Sequence, residues 1–114
     1  MDNRLNDALA FANYRLTLQV QRQNIEARVN AALIVSYQNA IFKSTQTLIT
    51  FVGLRAMRSD KLLVEDNSGN VIHIENPNEF LTELLAAYDS AMDLKQQELQ
   101  KLKSARSTAK IVGL

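Results

Sequence analysis

The sequence predicts a mainly α protein of the α+β kind, one domain over residues 1–114. The expected order is long helix, short helix, β-hairpin, long helix, with a helical stalk capped by the hairpin. Three observations predict it. Only three glycines and one proline interrupt the chain, which leaves long stretches free for helices. Apolar residues recur at three- and four-residue spacings toward both ends. Between them, residues 61–75 alternate apolar and polar on either side of a turn. The 46% apolar and 22% charged content over 114 residues is that of a single globular unit.

The first helix is expected from about Asn3 to Phe42, a stretch without proline or glycine. At about 1.5 Å per residue that is roughly 60 Å. Its apolar side chains fall on two nearly opposite stripes. One holds Leu5, Leu9, Ala12, Leu16 and Val20; the other holds Phe11, Tyr14, Leu18, Ile25, Val29 and Ala32. A surface helix carries one such stripe, so two imply packing on both sides. From Leu33 to Phe42 the pattern is apolar nearly all round, which predicts a deeply buried end.

Lys43-Ser44-Thr45-Gln46 is a polar break, with Ser44 as the N-cap of a short helix ending near Arg58. Gly53 inside that helix costs about 1 kcal/mol against alanine, so a close helix approach is expected there. A hairpin follows at about 61–75. Asp66–Gly69 forms its type I turn, with Gly69 left-handed. That register pairs Val64 with Ile72 and Leu62 with Ile74 on one face, and puts Leu63, Glu65, Val71 and His73 on the other. Asn76-Pro77-Asn78-Glu79 then reads as a helix start: Asn76 caps, Pro77 takes the first helical position and Glu79 completes a capping box. The last helix is expected from Pro77 to about Thr108, with one stripe of Leu81, Leu84, Leu85, Tyr88, Ala91, Met92, Leu99 and Leu102, interrupted by Lys95. The apolar tail Ala109–Leu114 is expected to dock on a partner.

Chemistry-bearing motifs are sparse. Cysteine is absent, which removes disulfides, thiolate metal sites and cysteine nucleophiles together. His73, the single histidine, reads as a partly exposed hairpin residue. Glu79 with Glu83, and Asp89 with Asp93, are i,i+4 carboxylate pairs, but the Glu-x-x-His set of di-iron bundles is missing, so they read as a solvated acidic face. Asp66–Asn70 lacks the ligand spacing and closing glutamate of a calcium loop. No glycine-rich phosphate loop is present. The run Gln19, Gln21, Arg22, Gln23, Asn24 reads either as plain solvated surface or as a polar layer fixing helix register.

Charge is segmented under a net of +1. Residues 1–59 hold seven bases and three acids, residues 60–98 two bases and nine acids, and residues 99–114 four bases and no acid. Helix-dipole matching accounts for much of this; a basic tail for nucleic acid and head-to-tail attraction between subunits are the other readings. Arg4, Arg15 and Arg22 lie along one side of the first helix and could track a phosphate backbone; Arg22 also stands one turn from Glu26, the ordinary spacing of an intrahelical ion pair.

The stretches Leu5-Asn6-Asp7-Ala8-Leu9-Ala10-Phe11-Ala12-Asn13-Tyr14-Arg15-Leu16-Thr17-Leu18, Ile41-Phe42-Lys43, Val64-Glu65-Asp66-Asn67-Ser68-Gly69-Asn70-Val71 and Lys101-Leu102-Lys103-Ser104-Ala105-Arg106-Ser107 resemble small proteins of T-even-like marine cyanophages. The resemblance spans nearly the whole chain. It implies a viral setting of structural or assembly character; it implies no activity and transfers no functional residue.

The expected function is therefore that of a non-enzymatic oligomeric helical protein, a phage structural, scaffold or assembly accessory protein acting through helix–helix interfaces. The partner is a second copy, most simply in a dimer, with Phe11, Tyr14, Leu18, Ile25 and Val29 at the interface and the Gln19–Asn24 zones meeting. Another assembly protein is a further candidate partner. The alternative is a nucleic-acid-binding accessory protein of phage DNA metabolism, using Arg4, Arg15 and Arg22 with Lys101, Lys103, Arg106 and Lys110 of the basic tail. No cofactor, metal or membrane partner is expected, since no apolar run approaches the roughly 18 to 20 residues of a span. Met1-Asp2-Asn3-Arg4 lacks the layout of a signal peptide, and together with the missing cysteines this points to a cytoplasmic setting, the host cytoplasm or the virion of a virus.

Overall fold

The structure, a computed structural model, describes residues 3–58 and 61–111, with side chains as far as residue 105. The order is α1 (Asn3–Ala32), β1 (Ile34–Tyr37), β2 (Ala40–Lys43), α2 (Gln46–Arg58), β3 (Leu62–Glu65), β4 (Val71–Ile74) and α3 (Pro77–Ile111). It is a mainly helical α+β fold with two separate antiparallel hairpins, β1–β2 and β3–β4. The molecule measures 71 × 25 × 19 Å, with a radius of gyration of 21.0 Å. A compact chain of this length would have a radius of about 13 Å.

The first helix is shorter than its composition suggests. It ends at Ala32, and the segment expected to be its buried end is the β1–β2 hairpin. Leu33, Val35, Ala40 and Phe42 are buried while Ile34, Ser36, Ile41 and Lys43 are exposed, a period of two. β-Branched Ile34, Val35 and Ile41 favour the pleated surface. Gln38 and Asn39 take φ of 49° and 62° and make the two-residue turn, in the primed sense that matches strand twist. The changeover runs through Leu33. Its N–H gives the last helical bond, to Val29 O, and its carbonyl accepts from Ser44 N at 2.8 Å.

Thr45, not Ser44, caps α2: its Oγ1 accepts from Leu48 N at 3.1 Å. Ser44 is fully buried, and its hydroxyl donates to the Leu84 carbonyl in α3. Gly53 accommodates no neighbouring helix. An added Cβ there would meet nothing within 4 Å, which overturns the expected close approach.

The second hairpin has the expected register, with Val64 opposite Ile72, Leu62 opposite Ile74 and Leu63 opposite His73. Gly69 has φ of 86°, and Gly69 N donates to Asp66 O. The Asp66 carboxylate accepts from Ser68 N and Asn70 N, both at 2.9 Å, so this turn uses its own acid as a local acceptor. At the start of α3, Asn76 Oδ1 accepts from Glu79 N at 3.1 Å, the Asn76 half of the expected box.

Two clusters of buried side chains hold the parts together. The body core gathers Val35, Ala40 and Phe42 from the first hairpin, Val52 from α2, Leu62, Val64 and Ile74 from the second hairpin, and Phe80 and Leu84 from α3. Phe80 is fully buried, 4.9 Å from the Phe42 ring in an edge contact and 5.0 Å from the Tyr37 ring. The stalk core gathers Ile25, Val29 and Leu33 of α1 with Ala91 and Leu102 of α3. The α3 stripe is thus narrower and rotated from expectation. Phe80 and Ala87 join its inner edge, whereas Leu85 and Leu99 face outward at 40% and 39% exposure.

The hairpins are tied by polar groups rather than by a shared ladder. Gln38 Nε2 donates to His73 O at 2.9 Å while Glu75 N donates to Gln38 Oε1 at 3.0 Å, so one turn side chain caps the β4 edge. In return Asn67 N donates to Ile41 O on β2 at 2.8 Å.

Candidate functional site

The stalk is an antiparallel pair, because α1 runs into the body and α3 runs out of it. Its inner face is made by Ile25 and Val29, at 4% and 2% exposure, with half-buried Tyr14 and Leu18 further out. Two ion pairs flank it: Lys95 Nζ to Glu26 Oε1 at 3.1 Å, and Arg28 to Glu98 at 3.1 Å. Lys95, which breaks the apolar row of α3, therefore reaches across to α1. Glu26 is engaged by Lys95 rather than by the expected Arg22. Of the polar run in α1, Gln21 and Asn24 border the groove between the two helices together with Glu98 and Lys101, whereas Gln19 and Gln23 line an open trough on another side of α1.

This packing revises the expected interface. Ile25 and Val29 belong to the chain's own core, covered by α3, so they are unavailable to a second copy without opening the stalk. Phe11 remains exposed at 61%, with the Arg15 guanidinium 5.9 Å from its ring centre. The stripe left without a partner is the other one. Leu5, Leu9, Leu16 and Val20 are 58%, 55%, 59% and 45% exposed. At 100° per residue they centre almost opposite the Ile25–Val29 row. Two stripes were legible in the sequence; which one the chain would cover itself was decided by the approach of α3.

The basic residues are not gathered into one surface. Arg15 and Arg22 line the same side of α1, while Lys101 and Lys103, two positions apart, stand about 200° apart around α3. Lys101 lies 3.9 Å from Glu98. Arg4 lies in the first turn of α1; the side chains of Arg106 and Lys110 are outside the described residues, as are residues 112–114 of the apolar tail.

His73 is exposed on the outer face of its hairpin, opposite Leu63 as expected, and engages the body through its carbonyl. Among the described residues there is no group of three or more His, Asp and Glu that could hold a metal ion, and no helix is long and apolar enough to cross a membrane. Tyr37 has its phenol pKa pushed above the ordinary value, first by desolvation and then by the negative charges of Glu79, Glu83 and Glu75. Its hydroxyl donates to the Asn76 carbonyl at 3.4 Å, next to the α3 cap. The sequence analysis missed this meeting, because it required the unrecognised β1 strand.

A second exposed apolar group lies on α2, where Phe51, Leu54 and Met57 are 41%, 60% and 83% exposed and Arg55 stands 5.4 Å from the Phe51 ring centre. Compared with family models, curated proteins and solved structures, the chain has no match.

Proposed function

We propose that the protein is a non-enzymatic assembly module that self-associates through its helical stalk. The observation that carries this reading is the outward stripe of α1, with Leu5, Leu9 and Leu16 each more than half exposed. An aliphatic side chain moved from water into an interface contributes about 1.5–3 kcal/mol. Four of them on one helix face therefore supply a driving force typical of helix association. Their spacings of four and seven residues suit helix–helix packing. The small body leaves the stalk stripe uncovered, and its resemblance to cyanophage proteins agrees with a role in virion building, in the host cytoplasm or within the particle. A second assembly protein presenting a similar helix is the further partner.

The test is sedimentation or light scattering at micromolar concentration, with circular dichroism alongside. The wild type is expected to be an oligomer. Leu9→Asp with Leu16→Asp is expected to yield a folded monomer with unchanged helix content, because both side chains already face water. Leu18→Asp with Ile25→Asp, on the inner face, is expected to unfold the stalk instead. A wild-type monomer at 100 micromolar would defeat the proposal.

A further inference from the structure

We infer that the stalk stripe of one copy is met by α3 of a second copy, and not by the same stripe of its twin. The inference rests on the self-association reading above and specifies its partner surface.

Charge decides against pairing α1 with α1. Arg15 and Arg22 lie beside the stripe of Leu5, Leu9, Leu16 and Val20, and both are exposed. Along the exposed faces of α1 the acids are few: Glu26 is engaged by Lys95, and Asp7 lies near the far end. Two such helices laid together would bring Arg15 and Arg22 to a seam with little acid to receive them. Positions flanking a helix seam set partner choice through such charges.

The outer flank of α3 offers the complement. Leu85, Met92 and Leu99 follow at seven-residue spacing, the spacing that also separates Leu9 from Leu16. Leu85 and Leu99 are 40% and 39% exposed, and Met92 is half-buried. Asp89 and Asp93 stand beside this row, exposed, and no ion pair among the described residues engages either. The two surfaces also match in length. Leu5 to Val20 covers about 22 Å and Leu85 to Leu99 about 21 Å along a helix. An interface made of two different surfaces is heterologous; it builds a ring, a reciprocal pair or a filament according to the rotation between copies.

Charge reversal tests this. Variant one carries Arg15→Glu and Arg22→Glu; variant two carries Asp89→Lys and Asp93→Lys. All four positions are exposed, and folding is checked by circular dichroism. Each variant alone is expected to associate roughly a hundredfold more weakly than wild type at low salt. An equimolar mixture is expected to recover the assembly, since each acidic α1 then finds a basic α3 and each basic α1 an acidic α3. If variant two assembles as wild type does, α3 is not the partner and the inference is overturned, while the self-association reading stands. If both variants dissociate and the mixture recovers nothing, the charge pairing is equally refuted. A wild-type monomer overturns both readings at once.

Discussion

Asn76 ends one strand and starts the longest helix with a single side chain. Its Oδ1 satisfies Glu79 N, one of the four N–H groups that a helix start leaves unpaired. Asn76→Ala is expected to cost about 1 kcal/mol, read as a lower urea midpoint at unchanged slope. One turn away in space, Tyr37 titrates against three glutamates. Its folded pKa lies above the unfolded value of about 10, so the protonated phenol is the form the fold favours. The stability it contributes is present below pH 10 and is lost as pH rises through the folded value. Wild type is therefore expected to weaken above pH 10 more steeply than Tyr37→Phe, a difference read from urea midpoints between pH 9 and 11. Gln38 acts between elements: Gln38→Ala removes both amide bonds to β4 and is expected to destabilise by about 1–2 kcal/mol, read in the same melts.

The elements divide by how local their causes are. The second hairpin and the α3 cap were readable because turn chemistry names them: Asp-Asn-Ser-Gly and Asn-Pro-x-Glu each solve a backbone problem within a few residues. The first hairpin was not. Its turn is Gln38-Asn39, without the glycine that usually marks two positive φ angles, and a ten-residue apolar run suits a buried helix as well as a strand. Its β-branched residues and its alternation were the available signal. In α2 the exposed Gly53 has open space beside it, so Gly53→Ala is expected to stabilise by about 1 kcal/mol, read as a raised melting midpoint. In α3, Phe80→Ala removes the ring on which both hairpins and α2 converge. It is expected to cost about 3–5 kcal/mol, against a few tenths for Leu99→Ala in the isolated chain.

At the scale of the molecule, the body and the stalk answer to different cores. The body closes four elements around Phe80, and the stalk is a two-helix pair with one shared face. A pair of helices can bury only one face each, so an elongated shape and an exposed outer stripe follow together. Small-angle scattering of the Leu9→Asp, Leu16→Asp double variant is expected to show a radius of gyration near the 21.0 Å of the single chain, and wild type a larger particle. The ion pairs along the stalk are partly exposed and screened, so each contributes little to stability and serves mainly to set the register of α1 against α3.

The sequence by itself determined the helical class, the stalk, the second hairpin with its register and the α3 cap, because each rests on spacing or on contacts a few residues apart. Tertiary structure alone decided three things. Leu33–Lys43 became strands because Val35, Ala40 and Phe42 share one core with Phe80, a contact nearly forty residues distant. Ser44 went inside because a carbonyl of α3 was there to receive its hydroxyl. And of two equally apolar stripes on α1, the Ile25–Val29 side was covered because the body delivers α3 to that side, which leaves Leu5, Leu9, Leu16 and Val20 facing water. Periodicity reports that a face is apolar; only the path of the chain says what covers it.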